Sequence, residues 1–462
     1  MYKTLRVKIK DTHPLYTYCS DVCHATNNLY NAVLFRMRQT MTGLQKLECL
    51  PQSITLNEQE VLNELKDFTN CNPSYRMPTA KKWFLPYGML NRLLYDNNNV
   101  DYFAQHLPRH TAQQTIKQAV QDMKGYCKSC KAYAKNKQAF TGAPRLPRYK
   151  KPGGMCTASL SNQECVVKEH DDIYFVKFPR TKEVCQITTP VGRLKFVTIK
   201  PYFNVFYISF VFEIPNAFEP IEQDDNNERI IFDKPERCIA IDFGVDNLAA
   251  ISNNFGHKGL LIKGGIVKSK NQWFNKLNAQ MQSAKDQGVL LDLYHKNWVN
   301  RNNFMRDVMH KYADYIVKYA LDHHVDTIIL GSTKGWKQSS KMDKKNNQCF
   351  VGIPFDLLKK FIAYRAVQHG INILYQEESF TSQASFKYKD DIPVYGELSE
   401  KEYDALKFSG RRIKRGLYRN KDGSVINADL NAAANIGRKA LPDLFTQVNF
   451  ERPDILTNIF NM

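Results

Sequence analysis

The pattern of apolar and polar residues divides the chain into a β-rich framework with an inserted helical segment, followed by an α/β segment. In Lys3–Lys10, apolar residues alternate with basic ones, which is the period of a half-buried strand. From about 21 to 138 the apolar residues recur at helical spacing. Residues 155–215 are rich in β-branched and aromatic side chains separated by turn signals. We therefore expect the first strand and residues 155–215 to form one sheet or barrel, with the helices inserted between them.

The pattern after residue 237 predicts a separate α/β domain. Three short apolar strands, beginning with Cys238–Asp242, follow one another across Gly- and Asn-containing turns and indicate an antiparallel meander. Two helical patterns come next, and strand and helix patterns then alternate, in the segments 268–285, 300–323, Asp326–Leu330, Phe355–His369, Ile371–Gln376 and 429–440. This order is that of an RNase H-like domain. The acidic stretch Glu219–Glu228 is expected to be a linker, and the polar residues 382–425 an insertion.

The composition indicates a globular protein that binds a polyanion. Among 462 residues, 65 Lys and Arg stand against 46 Asp and Glu, which gives a net charge of +19. With 43% hydrophobic residues the chain is able to form a core, so a disordered chain is excluded. No apolar run reaches the ~20 residues of a membrane span, and the N-terminal residues lack a signal-peptide core. The 11 cysteines are therefore expected to be reduced thiols of a cytosolic protein.

Two basic segments are candidate nucleic-acid contacts. In the helix expected at about 113–137, lysines recur beside the apolar stripe, and the candidate contacts are Lys117, Lys124, Lys128 and Lys131. The stretch Thr141–Gly154 contains three prolines, is incompatible with a helix interior, and predicts an extended link. Its candidate contacts are Arg145, Arg148, Lys150 and Tyr149, the last of which can stack on a base or sugar.

Acidic residues stand at three boundaries of the predicted α/β domain. Asp242 ends its first strand, Glu377 and Glu378 end a later strand, and Asp429 opens the last helix. Sites form outside the carboxyl ends of parallel strands, and a helix start can complete such a cluster. Each acid alone has an ordinary explanation, since Asp often caps helices, so the combination on a basic chain is what favours a site. Clustered carboxylates need a cation, and their oxygens suit Mg²⁺ or Mn²⁺, two of which can cleave a phosphodiester.

These acids lie in segments that resemble the TnpB family, also called OrfB, the RNA-guided DNA endonucleases of insertion sequences related to type V CRISPR effectors. The segments that carry the resemblance are AIDFGVDNLAAIS (240–252), KGWKQ (334–338), EESFTSQASF (377–386), FSGRRIKRGLYRNKDG (408–423), INADLNAAANIGRK (426–439) and, upstream, FTGAPRLPRYK (140–150). The resemblance covers nearly the whole chain, and it is strong in the second half and weak in the helical segment.

The resemblance implies an α/β multidomain fold. It consists of a RuvC-like, RNase H-like nuclease domain and a wedge-like β-barrel with an inserted helical recognition domain. On this chain the expected boundaries are 1–12 and 139–218 for the barrel, 13–138 for the helical domain, 219–236 for the linker, 237–381 and 426–462 for the nuclease, and 382–425 for the insertion.

The resemblance also implies the activity and the partners. The expected function is RNA-guided, Mg²⁺-dependent hydrolysis of DNA phosphodiesters, with a guide RNA and double-stranded target DNA as partners and no membrane. The expected location is the bacterial cytoplasm, at the nucleoid. Asp242 and Asp429 match the first and third catalytic carboxylates of the family. The oligomeric state is left open.

The second catalytic acid departs from the usual pattern. Most of the family has a Glu just after the fourth strand, where this chain has Gly331 and Ser332. A branch of the family, like its Fanzor relatives, supplies the acid later, beside a Thr-Ser motif. We therefore predict Glu378 as the second catalytic residue, with Glu377 as the alternative. Asp242, Glu378 and Asp429 are then the expected ligands of two Mg²⁺ or Mn²⁺ ions.

The insertion departs from the family in its lack of cysteine. Because the ligands of the family's zinc ribbon are missing, no zinc is expected, and polar and aromatic packing must hold the insertion. Its basic residues are expected to contact the target strand, and they include Arg411, Arg412, Lys414, Arg415 and Arg419. A second basic stretch adds Lys334, Lys337 and Trp336, which can stack on a base.

Other functions stay open on the sequence. The Gly331–Ser332 departure motivates a guided but catalytically inactive DNA-binding repressor. A small type V CRISPR effector is a further alternative, because it differs from the family in its locus and the origin of its guide. A transposase that joins DNA strands is disfavoured by the resemblance.

Overall fold

The structure of the protein is a computed structural model that describes residues 2–171, 173–188, 192–215, 217–283, 288–332, 352–394 and 406–461. The chain divides into two compact units, Met1–Pro215 and Asn216–Met462. Both units combine helices and sheets, so the fold class is mixed α/β, as predicted. In the part of the chain that the structure describes, no helix is both long enough and apolar enough to cross a membrane.

Helices follow the first strand in the first unit. They are α1 (Leu15–Cys49), α2 (Leu56–Cys71), α3 (Tyr87–Asp96) and α4 (Arg109–Lys135). The start of α2 is fixed by a capping box, in which the Thr55 side chain and the Glu58 side chain each accept a hydrogen bond from the other residue's backbone N–H. The apolar faces of the four helices form one buried cluster, in which residues such as Val33, Leu65 and Leu93 pack together.

The strands of the first unit form two antiparallel sheets. They are β1 (Tyr2–Ile9), β2 (Ala158–Ser161), β3 (Val166–His170), β4 (Ile173–Lys177), β5 (Val184–Ile187), β6 (Arg193–Tyr202) and β7 (Val205–Glu213). One sheet has the order β1-β7-β6-β2, so the first strand pairs with strands that follow the helices, as the sequence predicts. The other sheet has the order β3-β4-β5.

The Pro-rich stretch Thr141–Gly154 contains no helix or strand, and it lies along α1. Asn31 on this helix exchanges two hydrogen bonds with the backbone of Lys150, and Asn27 donates to the carbonyl of Lys151. The guanidinium of Arg38 lies 4.7 Å from the ring centroid of Tyr149. The stretch is therefore not helical, as predicted, and its backbone is held at Lys150 and Lys151 by side chains of α1.

The second unit is built on an eight-stranded sheet and a small three-stranded sheet. Its strands are β8 (Glu222–Gln223), β9 (Arg229–Ile231), β10 (Cys238–Asp242), β11 (Asn247–Asn253), β12 (Lys258–Lys263), β13 (Thr327–Ser332), β14 (Asn372–Glu377), β15 (Arg411–Lys414), β16 (Leu417–Arg419), β17 (Val425–Asn427) and β18 (Asn449–Leu456). The large sheet has the order β18-β12-β11-β10-β13-β14-β9-β8, and the small one β15-β16-β17. β10, β13 and β14 run parallel, whereas β10, β11 and β12 form the predicted antiparallel meander.

Helices cover both faces of the large sheet. They are α5 (Gly265–Ser283), α6 (Gly288–Asp322), α7 (Phe355–Gln368) and α8 (Ala428–Ala440). α6 and α7 pack with the sheet residues Ile239, Ile241 and Ile328 in the main core. α8 packs through Ala434 and Ile436 against neighbouring sheet residues that point to the other face. This arrangement brings the start of α8 to the edge where β10 and β14 end.

Two parts of the sheet differ from the sequence predictions. The expected linker 219–236 contains the hairpin β8–β9, which extends one sheet edge; Ile230 and Ile231 are buried there. At the other edge β18 pairs parallel to β12, although the sequence indicated no strand there. The hairpin strands have only two and three residues, and β18 contains a proline, so apolar alternation is weak in both places.

Candidate active site

Three of the predicted acids line one cavity of about 920 Å³ in the second unit. Asp242 is the last residue of β10, Glu378 directly follows β14, and Asp429 is the second residue of α8. Because β10 and β14 run in the same direction, their carboxyl ends meet at one edge of the sheet, where α8 begins. We call this the carboxylate cavity.

Asp242 is the acid whose ionisation is most disfavoured by its surroundings. It follows four fully buried residues of β10. Burial, followed by the negative charges of Glu378 and Asp429, raises the pKa of Asp242 well above its ordinary value. A cation placed among these carboxylates would remove part of that repulsion.

Asp429 is held by contacts from three directions. The side chain of Asn427 caps α8 by accepting hydrogen bonds from the backbone N–H groups of Asp429 and Leu430. Asn247 donates to Oδ2 of Asp429 at 2.6 Å, and Arg412 donates to Oδ1 at 2.5 Å. The carboxylate therefore has a fixed orientation in this structure.

The glycine at position 331 leaves room for the Glu378 carboxyl group. A Cβ atom at Gly331 would lie 2.9 Å from Cδ of Glu378 and 2.9 Å from a methyl carbon of Ile436. The space beside the end of β13, where most of the family has its catalytic Glu, is thus filled from β14. A glycine at position 331 is therefore sterically compatible with the carboxyl group of Glu378 at this place in the cavity.

Glu377 lies outside the lining of the carboxylate cavity. Lys439, which is 7% exposed, donates to Oε2 of Glu377 at 2.5 Å and also to the carbonyls of Ser379 and Pro393. Although burial acts to raise the pKa of Glu377, the hydrogen bonds from Lys439 and Ser379 lower it below its ordinary value. This arrangement gives Glu377 a structural partner of its own.

Cations of the chain lie against the acids of the cavity. Lys359 on α7 is 4.0 Å from Oε1 of Glu378, and both side chains are nearly buried. Arg415 pairs with Asp246 at 2.6 Å, and Lys268 pairs with the same carboxylate at 2.7 Å. Among the described residues, no three His, Cys, Asp or Glu side chains are grouped so that they could hold a metal ion.

Only part of the predicted basic insertion reaches the cavity. Arg412 and Arg415 line it, whereas Arg411, Lys414 and Arg419 are exposed outside its lining. Sequence reasoning missed the polar residues that surround the acids, which are Asp246, Asn247, Lys263 and Lys359. The segment DFGVDN contains two of them, and their position just after Asp242 was the available signal.

The predicted nucleic-acid contacts of the first unit lie at the surface. Lys117, Lys124, Lys128 and Lys131 are exposed along α4, and Arg145, Arg148, Tyr149 and Lys150 are exposed on the extended stretch. The apolar stripe of α4 is buried as far as Met123, but Cys127 and Cys130 are only half-buried. Lys334, Trp336 and Lys337 lie outside the described residues.

Comparisons with known proteins relate the second unit to two families. Residues 224–337 match the OrfB_IS605 model, described as "Probable transposase", and residues 355–436 match the Cas12f1-like TNB domain. These matches confirm the resemblance to TnpB-like proteins and relate the chain to type V effectors. No curated protein matches the chain.

Solved structures of type V effectors are similar at low sequence identity. A Cas12f1–sgRNA–target DNA complex is 14% identical, with a TM-score of 0.31, and the match covers 95% of this chain and 100% of that one. C2c1 of Alicyclobacillus acidoterrestris, in complex with single-guide RNA, is 10% identical, with a TM-score of 0.28, and the match covers 89% and 70% of the two chains.

Proposed function

Starting from the premise that this chain is a TnpB-like protein related to type V effectors, we propose that it is an RNA-guided, metal-dependent DNA endonuclease. The observation that carries the proposal is the carboxylate cavity, where Asp242, Glu378 and Asp429 line one space from three separate elements. In this proposal the second unit is a RuvC-like, RNase H-like nuclease domain. The first unit would combine the wedge-like barrel and the helical recognition domain within the predicted boundaries.

Asp242, Glu378 and Asp429 are the proposed ligands of two Mg²⁺ or Mn²⁺ ions. Carboxylate oxygens are the ligand type that a hard divalent cation prefers. The three side chains are not grouped so that they could hold an ion as they stand in the described part of the chain, so metal binding requires them to move closer together. The repulsion that raises the pKa of Asp242 is a further reason to expect a cation. Bound ions of this kind supply an activated water and stabilise the leaving oxygen of a phosphodiester.

The chain's own cations have a role in the same proposal. Arg412 lies on Oδ1 of Asp429, so this side chain must turn away before that oxygen can take a metal ion. The Arg412 side chain is 43% exposed, which leaves space for such a movement. Arg412 and Arg415 would then be available to the phosphates of the DNA strand.

The proposed partners are a guide RNA and double-stranded target DNA. The net charge of +19 and the exposed lysines of α4 support a polyanionic partner. Base pairing would supply the sequence specificity, while the protein recognises duplex shape and a short flanking motif. Sequencing the RNA that co-purifies with the protein would identify the guide.

The test is cleavage of matched DNA by the purified complex with Mg²⁺. We expect D242A and E378Q to lower the cleavage rate by about 10³-fold or more, since each removes a proposed metal ligand. E377Q is the matched control, because the carboxylate of the neighbouring Glu377 is held by Lys439 and lies outside the lining of the cavity. We expect E377Q to retain a cleavage rate within about tenfold of the wild type. Cleavage by D242A at the wild-type rate would refute the assignment.

A second candidate function is a guided, catalytically inactive DNA binder. The pairing of Arg412 with Asp429 and the proximity of Lys359 to Glu378 favour it, because both acids already have cations beside them. A titration of Mg²⁺ and Mn²⁺ with matched target distinguishes the two functions. Tight binding with no nicked product at any metal concentration would support the inactive binder.

A further inference from the structure

A buried asparagine connects a lysine to one oxygen of Asp429. Lys263 Nζ donates to Oδ1 of Asn247 at 2.8 Å, and Nδ2 of Asn247 donates to Oδ2 of Asp429 at 2.6 Å. Asn247 is 7% exposed and lines the carboxylate cavity with the other two residues. The sequence places Asn247 and Asp429 182 positions apart, and only the fold brings them together.

The orientation of the Asn247 amide is determined by chemistry. A lysine ammonium is only a donor, so the amide oxygen must face Lys263. The amide NH₂ group then has to face Asp429, whose carboxylate is only an acceptor when it is ionised. Both ends of the amide are thus matched to their partners in a single orientation.

The backbone around Asn247 restricts the position of its side chain. Asn247 and Lys263 are directly opposite each other on β11 and β12, and the pairing register shifts between Asn247 and Ala249. Such a bulge turns a side chain away from its regular direction. Gly264 donates its backbone N–H to the carbonyl of Asp246, and a Cβ there would collide with the carbonyl oxygen of Val245. The backbone next to Asn247 is therefore closely packed against the turn at Gly264.

We propose that Asn247 is a positioning residue that holds Oδ2 of Asp429 and so leaves Oδ1 as the oxygen available to a divalent cation. This inference rests on the proposed function. Oδ1 is the oxygen that Arg412 contacts, and Arg412 is on the exposed side of the carboxylate. Oδ2, in contrast, faces an amide that is buried and cannot turn away without losing both of its hydrogen bonds. Asp429 would thus bind a metal ion through one defined oxygen.

The test measures metal affinity separately from catalysis. Mn²⁺ binding to the purified protein, followed by electron paramagnetic resonance, is compared for the wild type, N247A and N247L. Loss of a residue that orients a metal ligand costs about 10–100-fold in affinity, so we expect at least a tenfold higher half-saturating Mn²⁺ concentration in both variants. In cleavage assays, saturating Mg²⁺ should restore most of the rate, because the ligand itself is still present.

Asn253 provides the matched control. It is fully buried on the same strand, but its side chain bonds to the backbone of Phe255 and His257 rather than to an acid of the cavity. N253A should therefore change thermal stability without changing Mn²⁺ affinity. The inference is overturned if N247A and N247L bind Mn²⁺ within twofold of the wild type, or if N253A weakens binding as much as they do.

A third variant separates this inference from the proposed function. D429A should lose Mn²⁺ binding and cleavage if the carboxylate cavity is the metal site. Retention of both by D429A would show that the proposed function is wrong. Loss of both in D429A, together with unchanged Mn²⁺ affinity in N247A and N247L, would refute the role of Asn247 alone.

Discussion

The Glu378 carboxyl group occupies the space that a side chain at position 331 would need. A Cβ at position 331 would be 2.9 Å from Cδ of Glu378, so the two positions cannot both carry a side chain without a shift. An acid at either position would present its carboxyl group to the same part of the cavity. The location of the second acid is therefore a choice between two neighbouring strands, β13 and β14, whose ends are paired in parallel.

This choice can be reversed in a double variant. E378A should lose DNA cleavage. Adding G331D should raise the cleavage rate at least about tenfold above that of E378A, because an Asp carboxyl reaches the volume vacated by Glu378. The matched control is S332D with E378A, since successive residues of a strand point to opposite faces. Equal recovery in both double variants, or none with G331D, would contradict this explanation.

At the scale of elements, asparagines of α8 anchor the start of the predicted insertion to the core of the second unit. Asn431 donates to the carbonyl of Ala384 at 2.8 Å and accepts from the N–H of Phe386, and Asn435 donates to the carbonyls of Ala384 and Thr381. Both asparagines are fully buried. The sequence predicted polar packing in place of zinc, and these bonds are of that kind.

The anchoring can be tested by removing both amides. N431A/N435A leaves the carbonyls of Ala384 and Thr381 without these donors and the N–H of Phe386 without its acceptor, at about 1–3 kcal/mol for each buried group left unsatisfied. We expect faster hydrogen exchange in residues 380–394 and 406–425 and a lower free energy of unfolding in urea. The control is N449A, which removes an amide that donates to the carbonyl of Gly256 at an exposed position. N449A should lower the free energy of unfolding by less than about 0.5 kcal/mol and leave the hydrogen exchange of these residues unchanged.

The packing of α6 against α7 predicts a pH dependence of stability. His310 is stacked on Phe361 with ring centroids 3.6 Å apart, and Nη2 of Arg365 lies 3.1 Å from its Nδ1. Burial, followed by the charges of Arg365 and Arg306, lowers the pKa of His310 to about 4, whereas the nearby Asp314 and Asp307 act to raise it. Between pH 6.5 and about pH 4 the unfolded state therefore binds a proton that the folded state does not, so stability falls as the pH is lowered through this range.

The variant H310F keeps an aromatic ring at this position but does not titrate. We expect the free energy of unfolding of the wild type to fall more steeply between pH 7.5 and 5.5 than that of H310F. Denaturant unfolding at several pH values measures both slopes. Parallel pH profiles would show that the folded-state pKa of His310 is not lowered.

Across these elements, the sequence predicted what is periodic or lies at a boundary. The ends of β10 and β14 and the start of α8 were predicted within one residue, so Asp242, Glu378 and Asp429 could be named. The hairpin β8–β9 was missed because strands of two and three residues show no alternation. Asn247 was missed because a polar residue at a strand start has many ordinary roles. That Asn247 contacts Asp429 is known only from the fold.

At the scale of the whole molecule, the excess of positive charge is distributed over exposed faces. The α4 lysines are exposed in one row, and the described residues of this helix contain a single acid, Asp122. Asp122 accepts hydrogen bonds from Tyr30 and Gln118, so its charge is engaged within the protein. The row is therefore a surface of one sign, which phosphate groups could follow.

The salt dependence of RNA binding tests this surface quantitatively. Each phosphate contacted contributes about 0.7–0.9 to the slope of log affinity against log salt concentration. For binding of the co-purifying RNA, K124A/K128A/K131A should therefore make this slope shallower by about 2. The matched control, K168A/K177A/K182A, removes the same charge from exposed lysines around the β3-β4-β5 sheet. A local contact predicts a change of less than about 0.5 in the control. Equal changes in both triple variants would show that net charge, rather than the α4 surface, governs binding.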